Sequence, residues 1–261
     1  MTRLRSLAFV AAFYLVTAAF LVLASPLLLV PRRWAMAGLR AYARTCLWLL
    51  DVIVGTRLEV RGRDKLPAGP FLIAAKHQSA WDTFALVPLF SDPAIVLKAE
   101  LGRIPLYGWF CAKFEHILVR RERAAAALKA LVADAKARAG AGREILIFPE
   151  GTRQAPGAAP DYKPGVVALY EGLGLPCVPV ALNSGLYWPR RSLIRHPGTI
   201  IVEILDPLPP GLARRQFRAE LERRIETASL RLIAEAATAR SPPPIDAAVL
   251  AQVNEMNKLR S

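Results

Sequence analysis

A histidine and an aspartate five positions apart point most directly to chemistry. His77 follows the apolar run Phe71–Ala75, and Asp82 comes soon after it. Two residues five apart on one helix point about 140° from each other, so the pair can meet only if His77 precedes a helix that contains Asp82. In that arrangement the carboxylate orients the imidazole and leaves its second nitrogen basic. A lone histidine at a strand end also has a purely structural interpretation.

An arginine-bearing turn is the second chemical feature. Residues 148–153 read FPEGTR and follow an apolar run that begins at Glu144. Gly151 permits a sharp turn, and the guanidinium of Arg153 can bind phosphate through two parallel hydrogen bonds. Taken alone, this segment equally fits a charged surface turn. Like His77, however, it follows a predicted strand, and the carboxyl ends of strands form the ligand-binding edge of an α/β sheet.

The elements that must position these residues are readable from the pattern of the chain after Gly55. Short β-rich runs cover residues 57–60, 71–75, 94–97, 116–119, 144–148, 177–182 and 199–205. Helical patterns cover residues 79–90, 124–139, 163–172 and 214–239. We expect Ser79 to cap the first of these helices and Asp82 to lie in its second turn. The alternation predicts an α/β fold, with a mixed, largely parallel sheet flanked by helices.

The amino-terminal region is predicted to anchor this domain to a membrane. Residues 7–30 carry no charge, and about 20 helical residues cross a bilayer core. A full span, a half-inserted hairpin, a cleaved signal peptide and a wholly buried helix of a soluble domain are the alternatives for this segment. Residues 34–53 predict an amphipathic helix, which lies either at a membrane interface or against the domain. More arginines follow the apolar segment than precede it, which predicts the inner membrane with the remaining chain in the cytoplasm.

These patterns divide the chain into three parts. Residues 1–55 form the predicted anchor, residues 56–240 the main domain, and residues 241–261 a helical tail. The tail begins with a serine and three prolines, which predict a hinge. Its apolar residues recur at helical spacing and suit packing against another surface: Ile245, Val249, Val253 and Met256.

Composition narrows the range of partners. The 261 residues include 35 Lys and Arg against 21 Asp and Glu, a net charge of +14, and most of the cations are arginine. Arginine suits phosphate in nucleic acid, anionic lipid or a phosphorylated metabolite, although a basic solubilising surface explains the charge as well. Three scattered cysteines and three scattered histidines favour neither a disulfide framework nor a metal site. The sequence contains no nucleotide-binding glycine motif.

Together the two motifs resemble those of the glycerolipid acyltransferase family, specifically the 1-acylglycerol-3-phosphate acyltransferases. The residues from His77 to Asp82 match the family's HxxxxD block, and residues 148–153 match its FPEGTR block letter for letter. Lys98 begins a segment that resembles a further family block. Arg120 ends a segment that resembles another, although Val119 stands where the family commonly has an aspartate.

The resemblance covers about residues 56–205 and implies transfer of a fatty acyl group from acyl-CoA or acyl-carrier protein. The acceptor would be the free sn-2 hydroxyl of 1-acylglycerol-3-phosphate (lysophosphatidic acid), and the product would be phosphatidic acid. His77 would be the general base, and Asp82 would orient it. Arg153 would bind the acceptor's phosphate. The other implied substrate-binding residues are Glu150, Gly151, Thr152, Lys98 and Arg120.

Several further expectations complete this interpretation. No metal or other cofactor is implied, because the thioester donor is already activated. The expected partners are membrane lipid, the lysophospholipid acceptor and the acyl-CoA or acyl-carrier-protein donor, with no nucleic acid. Backbone N–H groups near Ser79 or Gly151 are candidates for stabilising the oxyanion. Cys111 and Cys177 receive no catalytic role.

Three alternatives remain open from the sequence. The same His–Asp pair could acylate another lyso-lipid, such as lyso-ornithine lipid or lysophosphatidylglycerol. A non-enzymatic basic membrane-binding protein would explain the charge but not the FPEGTR match. A secreted hydrolase would require cleavage of the amino-terminal segment, and the chain has no GxSxG motif to support it.

Overall fold

The computed structural model describes residues 2–120 and 124–258. The α-helices in these ranges are α1 (Thr2–Leu23), α2 (Arg32–Leu49), α3 (Asp82–Ala85), α4 (Tyr107–Lys113), α5 (Ala124–Gly140), α6 (Pro164–Leu173), α7 (Ser184–Tyr187), α8 (Arg214–Ala237) and α9 (Ala247–Lys258). The strands are β1 (Thr56–Arg61), β2 (Leu72–Ala75), β3 (Ala94–Lys98), β4 (Ile117–Val119), β5 (Ile145–Ile147), β6 (Cys177–Leu182) and β7 (Gly198–Ile204).

The strands form one sheet in the order β1-β7-β6-β2-β5-β3-β4. Strands β6, β2, β5, β3 and β4 are mutually parallel. Strand β7 is antiparallel to β6, and β1 is parallel to β7, so this pair at one side of the sheet runs opposite to the other strands. Each predicted strand is present with its ends shifted by no more than one residue, and the mixed, largely parallel sheet is confirmed.

Strand β2 lies near the middle of the sheet and is buried on both faces. Ile73 and Ala75 pack into the hydrophobic cluster on one face, whereas Leu72 and Ala74 pack into the cluster on the other. A strand covered on both faces reads as a continuous apolar run, which explains its sequence. Because β5 lies beside β2 and runs parallel to it, the segments that follow these two strands emerge side by side at one edge of the sheet.

The amino-terminal region forms a helical hairpin. Helix α1 ends at Leu23, and a 3₁₀ turn over Ser25–Leu28 leads into α2. The predicted helix over residues 7–30 is therefore wrong at both ends, because it begins near the terminus and stops before Pro26, which cannot continue an α-helix. Helix α2 continues through a π-helical turn to Val54, and Gly55 ends it with φ of 85°.

Helix α1 packs against the domain near both of its ends. The ring of the fully buried Phe9 contacts Trp188 at 5.2 Å between ring centroids, and Phe20 contacts Phe110 at 5.4 Å. Of the described helices, α1 alone is long and apolar enough to cross a membrane by length and composition. Both ends of this helix therefore contact the domain, and the choice between a full span and a half-inserted hairpin stays a prediction.

Helix α2 combines the two alternatives considered for it. One face packs on the protein and buries Met36 and Cys46, whereas Trp34 and Trp48 are exposed on the other. Arg32 forms two parallel hydrogen bonds with Asp92, of 2.8 and 2.7 Å, which fix the start of α2 to the segment before β3. The helix is therefore packed on the domain and also presents aromatic side chains outward.

The carboxyl-terminal tail packs as the sequence predicts, within the described residues. Val249 and Val253 of α9 are buried in the same cluster that covers one face of the sheet. Gly157 approaches so closely that a Cβ atom there would lie 2.7 Å from a methyl of Val249. The side chain of Met256 lies outside the described residues, and the division of the chain at residues 55 and 240 stays a prediction.

Candidate active site

The structure brings His77 and Asp82 into contact. His77 lies in the extended segment after β2, and Asp82 is the first residue of α3. The distance between His77 Nδ1 and Asp82 Oδ2 is 3.0 Å. With the Nδ1 proton donated to this carboxylate, Nε2 carries the lone pair. The His77 side chain is 12% exposed and that of Asp82 is 0% exposed, so a reactant can approach the imidazole but not the carboxylate.

Asp82 is held in place by further hydrogen bonds. Its Oδ2 atom accepts from the backbone N–H groups of Gln78 at 2.7 Å and Ser79 at 2.9 Å. Its Oδ1 atom accepts from the hydroxyl of Ser184, which begins α7 after strand β6, at 2.5 Å. Hydrogen bonds to a charged acceptor stabilise its charge in a buried site. Asp82 is therefore a fixed acceptor that sets the orientation of the imidazole.

The helix that carries Asp82 is shorter than the sequence predicts. Instead of one helix over residues 79–90, the chain forms the single turn of α3 and then a 3₁₀ turn over Val87–Leu89. Pro88 has no N–H group to donate, which stops the α-helix. Asp82 consequently begins the helix, rather than lying in its second turn, and its carboxylate accepts from the loop before it.

The two sequence motifs are joined directly. The His77 N–H donates to Glu150 Oε2 at 3.1 Å, and the Gln154 N–H donates to the His77 carbonyl at 2.8 Å. The His77 imidazole also stacks on the ring of Phe148, with 4.1 Å between centroids. These contacts follow from the adjacency of β2 and β5, and they fix the position of the imidazole relative to the FPEGTR segment.

A buried ionic cluster lies beneath this junction. Lys76 Nζ is 2.6 Å from Glu150 Oε1 and 2.8 Å from each carboxylate oxygen of Glu226 on α8. The hydroxyl of Tyr162 donates to Glu226 Oε1 at 2.9 Å. Burial raises the pKa of the Glu150 carboxyl, and the charge of Lys76 acts in the opposite direction. Glu150 is fully buried, so it shapes the site from beneath and does not face an acceptor.

Arg153 lies where an anionic ligand can reach it. Gly151 has φ of 64°, in the left-handed region that favours glycine, so the chain turns between Phe148 and Arg153 as the sequence predicts. Thr152 is half-buried on this turn. Arg153 is half-buried and lines a cleft of about 310 Å³ together with Ala80 of the HxxxxD segment. Among the described residues, none forms a hydrogen bond or ion pair with the Arg153 guanidinium.

Lys98 and Arg120 lie at the same edge of the sheet but further along it. Lys98 ends β3 and is paired in register with Val119 of β4, directly before Arg120. Both basic side chains are exposed. In the described part of the chain, no hydrogen bond or ion pair joins either of them to His77 or Arg153. Their role as phosphate ligands stays a prediction.

The backbone N–H groups of Ser79 and Gly151 are themselves engaged. The Ser79 N–H donates to Asp82, and the Gly151 N–H donates to the Phe148 carbonyl at 2.9 Å. Both are engaged because the HxxxxD loop folds around its own aspartate and the FPEGTR segment closes a tight turn. The expectation that N–H groups near these two residues stabilise the oxyanion stays a prediction.

The three cysteines are fully or nearly fully buried. Burial raises the pKa of the Cys111 thiol to about 11 and raises that of Cys177 still further. Both thiols are protonated at neutral pH and are poor nucleophiles. In the part of the chain that the structure describes, no group of three or more His, Cys, Asp or Glu is arranged to hold a metal ion.

Several supporting residues escaped the sequence analysis. Ser184 is distant in sequence and became visible only when β6 was placed beside β2. Lys76 directly precedes His77, and Glu226 reads as one more charge on an amphipathic helix. The available signal was the position of Lys76 directly after a wholly apolar strand, since a lysine that is buried there requires a partner.

Comparison with known proteins identifies the family to which this chain is similar. A family model described as "Acyltransferase" matches residues 57–183. The 1-acyl-sn-glycerol-3-phosphate acyltransferase of Pseudomonas aeruginosa is 38% identical over 185 residues, which cover 71% of this chain and 72% of that protein. The protein of the same name from Saccharomyces cerevisiae is 29% identical over 171 residues, which cover 64% of this chain and 56% of its own length.

A solved structure shows the same fold. The crystal structure of PlsC, the 1-acyl-sn-glycerophosphate acyltransferase from Thermotoga maritima, aligns with a TM-score of 0.75 over 89% of this chain and 98% of that one, at 21% identity. The bacterial relative with 38% identity aligns over more than two thirds of its length, and this alignment establishes the family. The chain therefore belongs to the 1-acyl-sn-glycerol-3-phosphate acyltransferase family.

Proposed function

We propose that this chain transfers a fatty acyl group from a thioester donor to the sn-2 hydroxyl of lysophosphatidic acid and forms phosphatidic acid. The observation that carries this proposal is the buried Asp82–His77 pair, whose histidine is bonded through its carbonyl to Gln154, the residue after Arg153. None of the described residues pairs with the Arg153 guanidinium, which lines a cleft together with Ala80 of the HxxxxD segment. A base and an anion-binding group on adjoining segments suit an acceptor that carries both a hydroxyl and a phosphate. The named relatives act on the same acceptor class.

The reaction follows from the tautomer of His77. An alcohol is too weak an acid to attack at neutral pH, so His77 Nε2 accepts its proton as the new ester bond forms. Asp82 stabilises the imidazolium that results. The tetrahedral intermediate then collapses, the carbon–sulfur bond breaks, and the imidazolium returns the proton to the departing thiolate. The thioester is activated before it arrives, so no acyl-enzyme forms, and acyl-CoA or acyl-carrier protein serves as donor without a further cofactor.

Arg153 binds the acceptor's phosphate in this proposal, and Lys98 and Arg120 provide further positive charge along the same edge. A planar guanidinium forms two parallel hydrogen bonds with a phosphate group, which fixes the distance between that group and the base. With the phosphate held, the hydroxyl is presented to the imidazole at high effective concentration.

The hairpin provides membrane association. Large apolar side chains on its outer surface are exposed, among them Leu15, Leu23, Leu29, Trp34 and Trp48. Aromatic side chains of this kind suit the boundary between headgroups and acyl chains. We place the protein on the inner membrane with its domain facing the cytoplasm, as the arginine distribution indicates. Membrane lipid is then both the surface it binds and the source of its acceptor.

One assay tests the proposed function. Protein in detergent or vesicles receives labelled acyl-CoA or, in a parallel reaction, labelled acyl-carrier protein. The acceptor is lysophosphatidic acid, lysophosphatidylglycerol or lyso-ornithine lipid, and the labelled product is identified. We expect labelled phosphatidic acid, and we expect His77→Ala to lower kcat by at least ~100-fold. Circular dichroism verifies that the variant is folded.

The other outcomes contradict the proposal in different ways. If only lyso-ornithine lipid or only lysophosphatidylglycerol becomes acylated, and lysophosphatidic acid does not, the site has a different acceptor. Near-wild-type turnover by folded His77→Ala would remove His77 from the mechanism. Absence of acylation with every acceptor and with both donor types would favour a non-enzymatic membrane-binding protein.

A further inference from the structure

The cleft lined by Ala80 and Arg153 contains more positive charge than the family motif provides. Its walls come from α1, from Ala80 in the HxxxxD segment, from Arg153, and from the segment between α7 and β7. That last segment contributes Arg191 and Arg195 to the lining. Three arginines therefore line one cleft, and none of the described residues that line it is acidic. Neither Arg191 nor Arg195 belongs to the motifs that define the site.

Arg195 is a buried cation, and no acidic residue in the described part of the chain forms an ion pair with it. It is 7% exposed, and its guanidinium lies 4.4 Å from the ring centroid of Trp188. One terminal nitrogen, Nη1, donates to the carbonyls of Ser192 and Ile194, at 2.6 and 3.0 Å. Its Nε atom has no hydrogen-bond partner among the described residues. Removing a charge from water without an ion partner is costly, so this arrangement suits a site that an anionic ligand completes.

The protein fixes Arg195 firmly in this position. The hydroxyl of Ser6 on α1 donates to the Arg195 carbonyl at 3.0 Å and accepts from its N–H at 2.9 Å. Burial lowers the pKa of Arg195 to about 10, which leaves the guanidinium charged at neutral pH. Backbone bonds and ring stacking thus hold a charged group at the cleft, as expected of a preorganised binding residue.

Apart from Tyr14 and Ser192, the remaining walls of the cleft are apolar. Phe9, Val10 and Phe13 of α1 and Leu193 line it, and Trp188 packs between the aromatic rings and Arg195. A ligand with an anionic head and an alkyl chain would find a matching surface for each part. The cleft adjoins α1, which faces the membrane in the proposed function, so such a ligand can enter from the bilayer.

We propose that Arg191 and Arg195 join Arg153 to form a phosphomonoester-binding site that selects the acceptor's headgroup. This inference rests on the proposed function and adds to it two residues that determine specificity. A phosphomonoester carries a charge of about −1.5 to −2 near neutral pH, whereas the phosphodiester of lysophosphatidylglycerol carries a single negative charge. Several guanidinium groups in one cleft therefore favour lysophosphatidic acid over diester lyso-lipids. The same chemistry would also suit a phosphate group of acyl-CoA, so the experiment separates acceptor from donor.

The test compares Arg191→Gln, Arg195→Gln and Arg195→Lys with wild type. Arg218→Gln, an exposed arginine on α8 without an ion pair among the described residues, is the matched control. Equilibrium binding of labelled lysophosphatidic acid and lysophosphatidylglycerol to detergent-purified protein is measured first. Steady-state KM is then measured for each acceptor at fixed donor, and for acyl-CoA at fixed acceptor.

We expect Arg191→Gln and Arg195→Gln each to weaken lysophosphatidic acid binding and raise its KM about tenfold, since each removes charge-assisted hydrogen bonds. Binding of lysophosphatidylglycerol should change less than threefold, and the KM for acyl-CoA should not change. Arg195→Lys should recover only part of the loss, because a lysine lacks the planar fork.

Three results would overturn the inference. The first is wild-type protein that binds lysophosphatidic acid no more tightly than lysophosphatidylglycerol. The second is an equal loss for both acceptors, and the third is a loss confined to acyl-CoA. If Arg195→Gln fails to fold, the exposed Arg191→Gln variant decides the question. The His77→Ala variant separates the two proposals, since it should lose turnover and still bind lysophosphatidic acid more tightly than lysophosphatidylglycerol.

Discussion

Replacing Lys76 with methionine should destabilise the protein strongly. Lys76 is 1% exposed and holds Glu150, which is 0% exposed, together with Glu226, which is 20% exposed. Methionine has a similar length and no charge, so two carboxylates would face each other without the intervening cation. Removing one partner from a buried ion pair costs about 3–5 kcal/mol. In a protein of this size, each kcal/mol lowers Tm by roughly 2–4 °C, which gives a decrease of roughly 6–20 °C.

The effect should also reach the imidazole. Glu150 accepts the His77 N–H, so an unbalanced Glu150 loosens the position of His77, and kcat should fall even at temperatures where the variant is folded. Thermal unfolding in detergent, followed by circular dichroism, measures Tm. Acyl transfer to lysophosphatidic acid at a temperature well below Tm measures kcat.

Two further variants sharpen this test. Lys163→Met removes an exposed ion pair with Asp161 and should cost less than ~1 kcal/mol. Glu226→Gln in the Lys76→Met background removes one of the opposed charges and should recover part of the lost stability, a non-additive result. The reasoning is refuted if Lys76→Met unfolds within ~1 kcal/mol of wild type, or if the second substitution adds to its cost.

Three further outcomes are expected. Ser184→Ala removes a donor to Asp82 and should lower kcat about tenfold at constant acceptor KM. Ser229→Ala is the control, because the Ser229 hydroxyl has no partner among the described residues, and it should leave kcat unchanged in the same assay. Burial lowers the pKa of His116 from 6.5 to about 3. Acidification therefore protonates this imidazole in the unfolded chain first, and the free energy of unfolding falls as pH decreases from about 6.5 to about 3. Denaturation at several pH values should show that the free energy of unfolding falls by about 1 kcal/mol by pH 5.5. This decrease should be absent in His116→Gln, which keeps an acceptor for the Ile95 N–H. Identical pH profiles for the two proteins would contradict the assignment. Trp34→Ala with Trp48→Ala should reduce sedimentation with anionic vesicles while leaving kcat on detergent-dispersed substrate intact, and unchanged sedimentation would exclude these side chains from the membrane contact.

The sheet could be predicted from the sequence because its central strands are apolar runs, and β1 at its edge still alternates apolar and charged residues. The contact between His77 and Asp82 could be predicted as well, since spacing alone restricts how the pair can meet. The predicted helix after Ser79 is too long because the apolar pattern continues through Pro88. Proline lacks an N–H group and ends an α-helix whatever the pattern around it.

The supporting groups of the site could not be predicted, because they depend on contacts between distant segments. Ser184 reaches Asp82 across 102 positions of sequence, and Glu226 reaches Lys76 across 150. A polar residue on an amphipathic helix has the same appearance in sequence whether it faces solvent or a buried lysine. The burial of Arg195 could not be predicted either, since it depends on the packing of α1 against the segment before β7.

The reversed direction of β1 and β7 has a consequence for how the enzyme meets its substrate. Since these two strands run opposite to β2, the first residue of β1 lies at the edge where β2 and β6 end. The hairpin therefore joins the domain on the side of His77. Had β1 followed the polarity of the central strands, the hairpin would attach at the opposite edge, away from His77. In the proposed function, strand polarity thus determines which way the catalytic residues face when the hairpin binds a membrane.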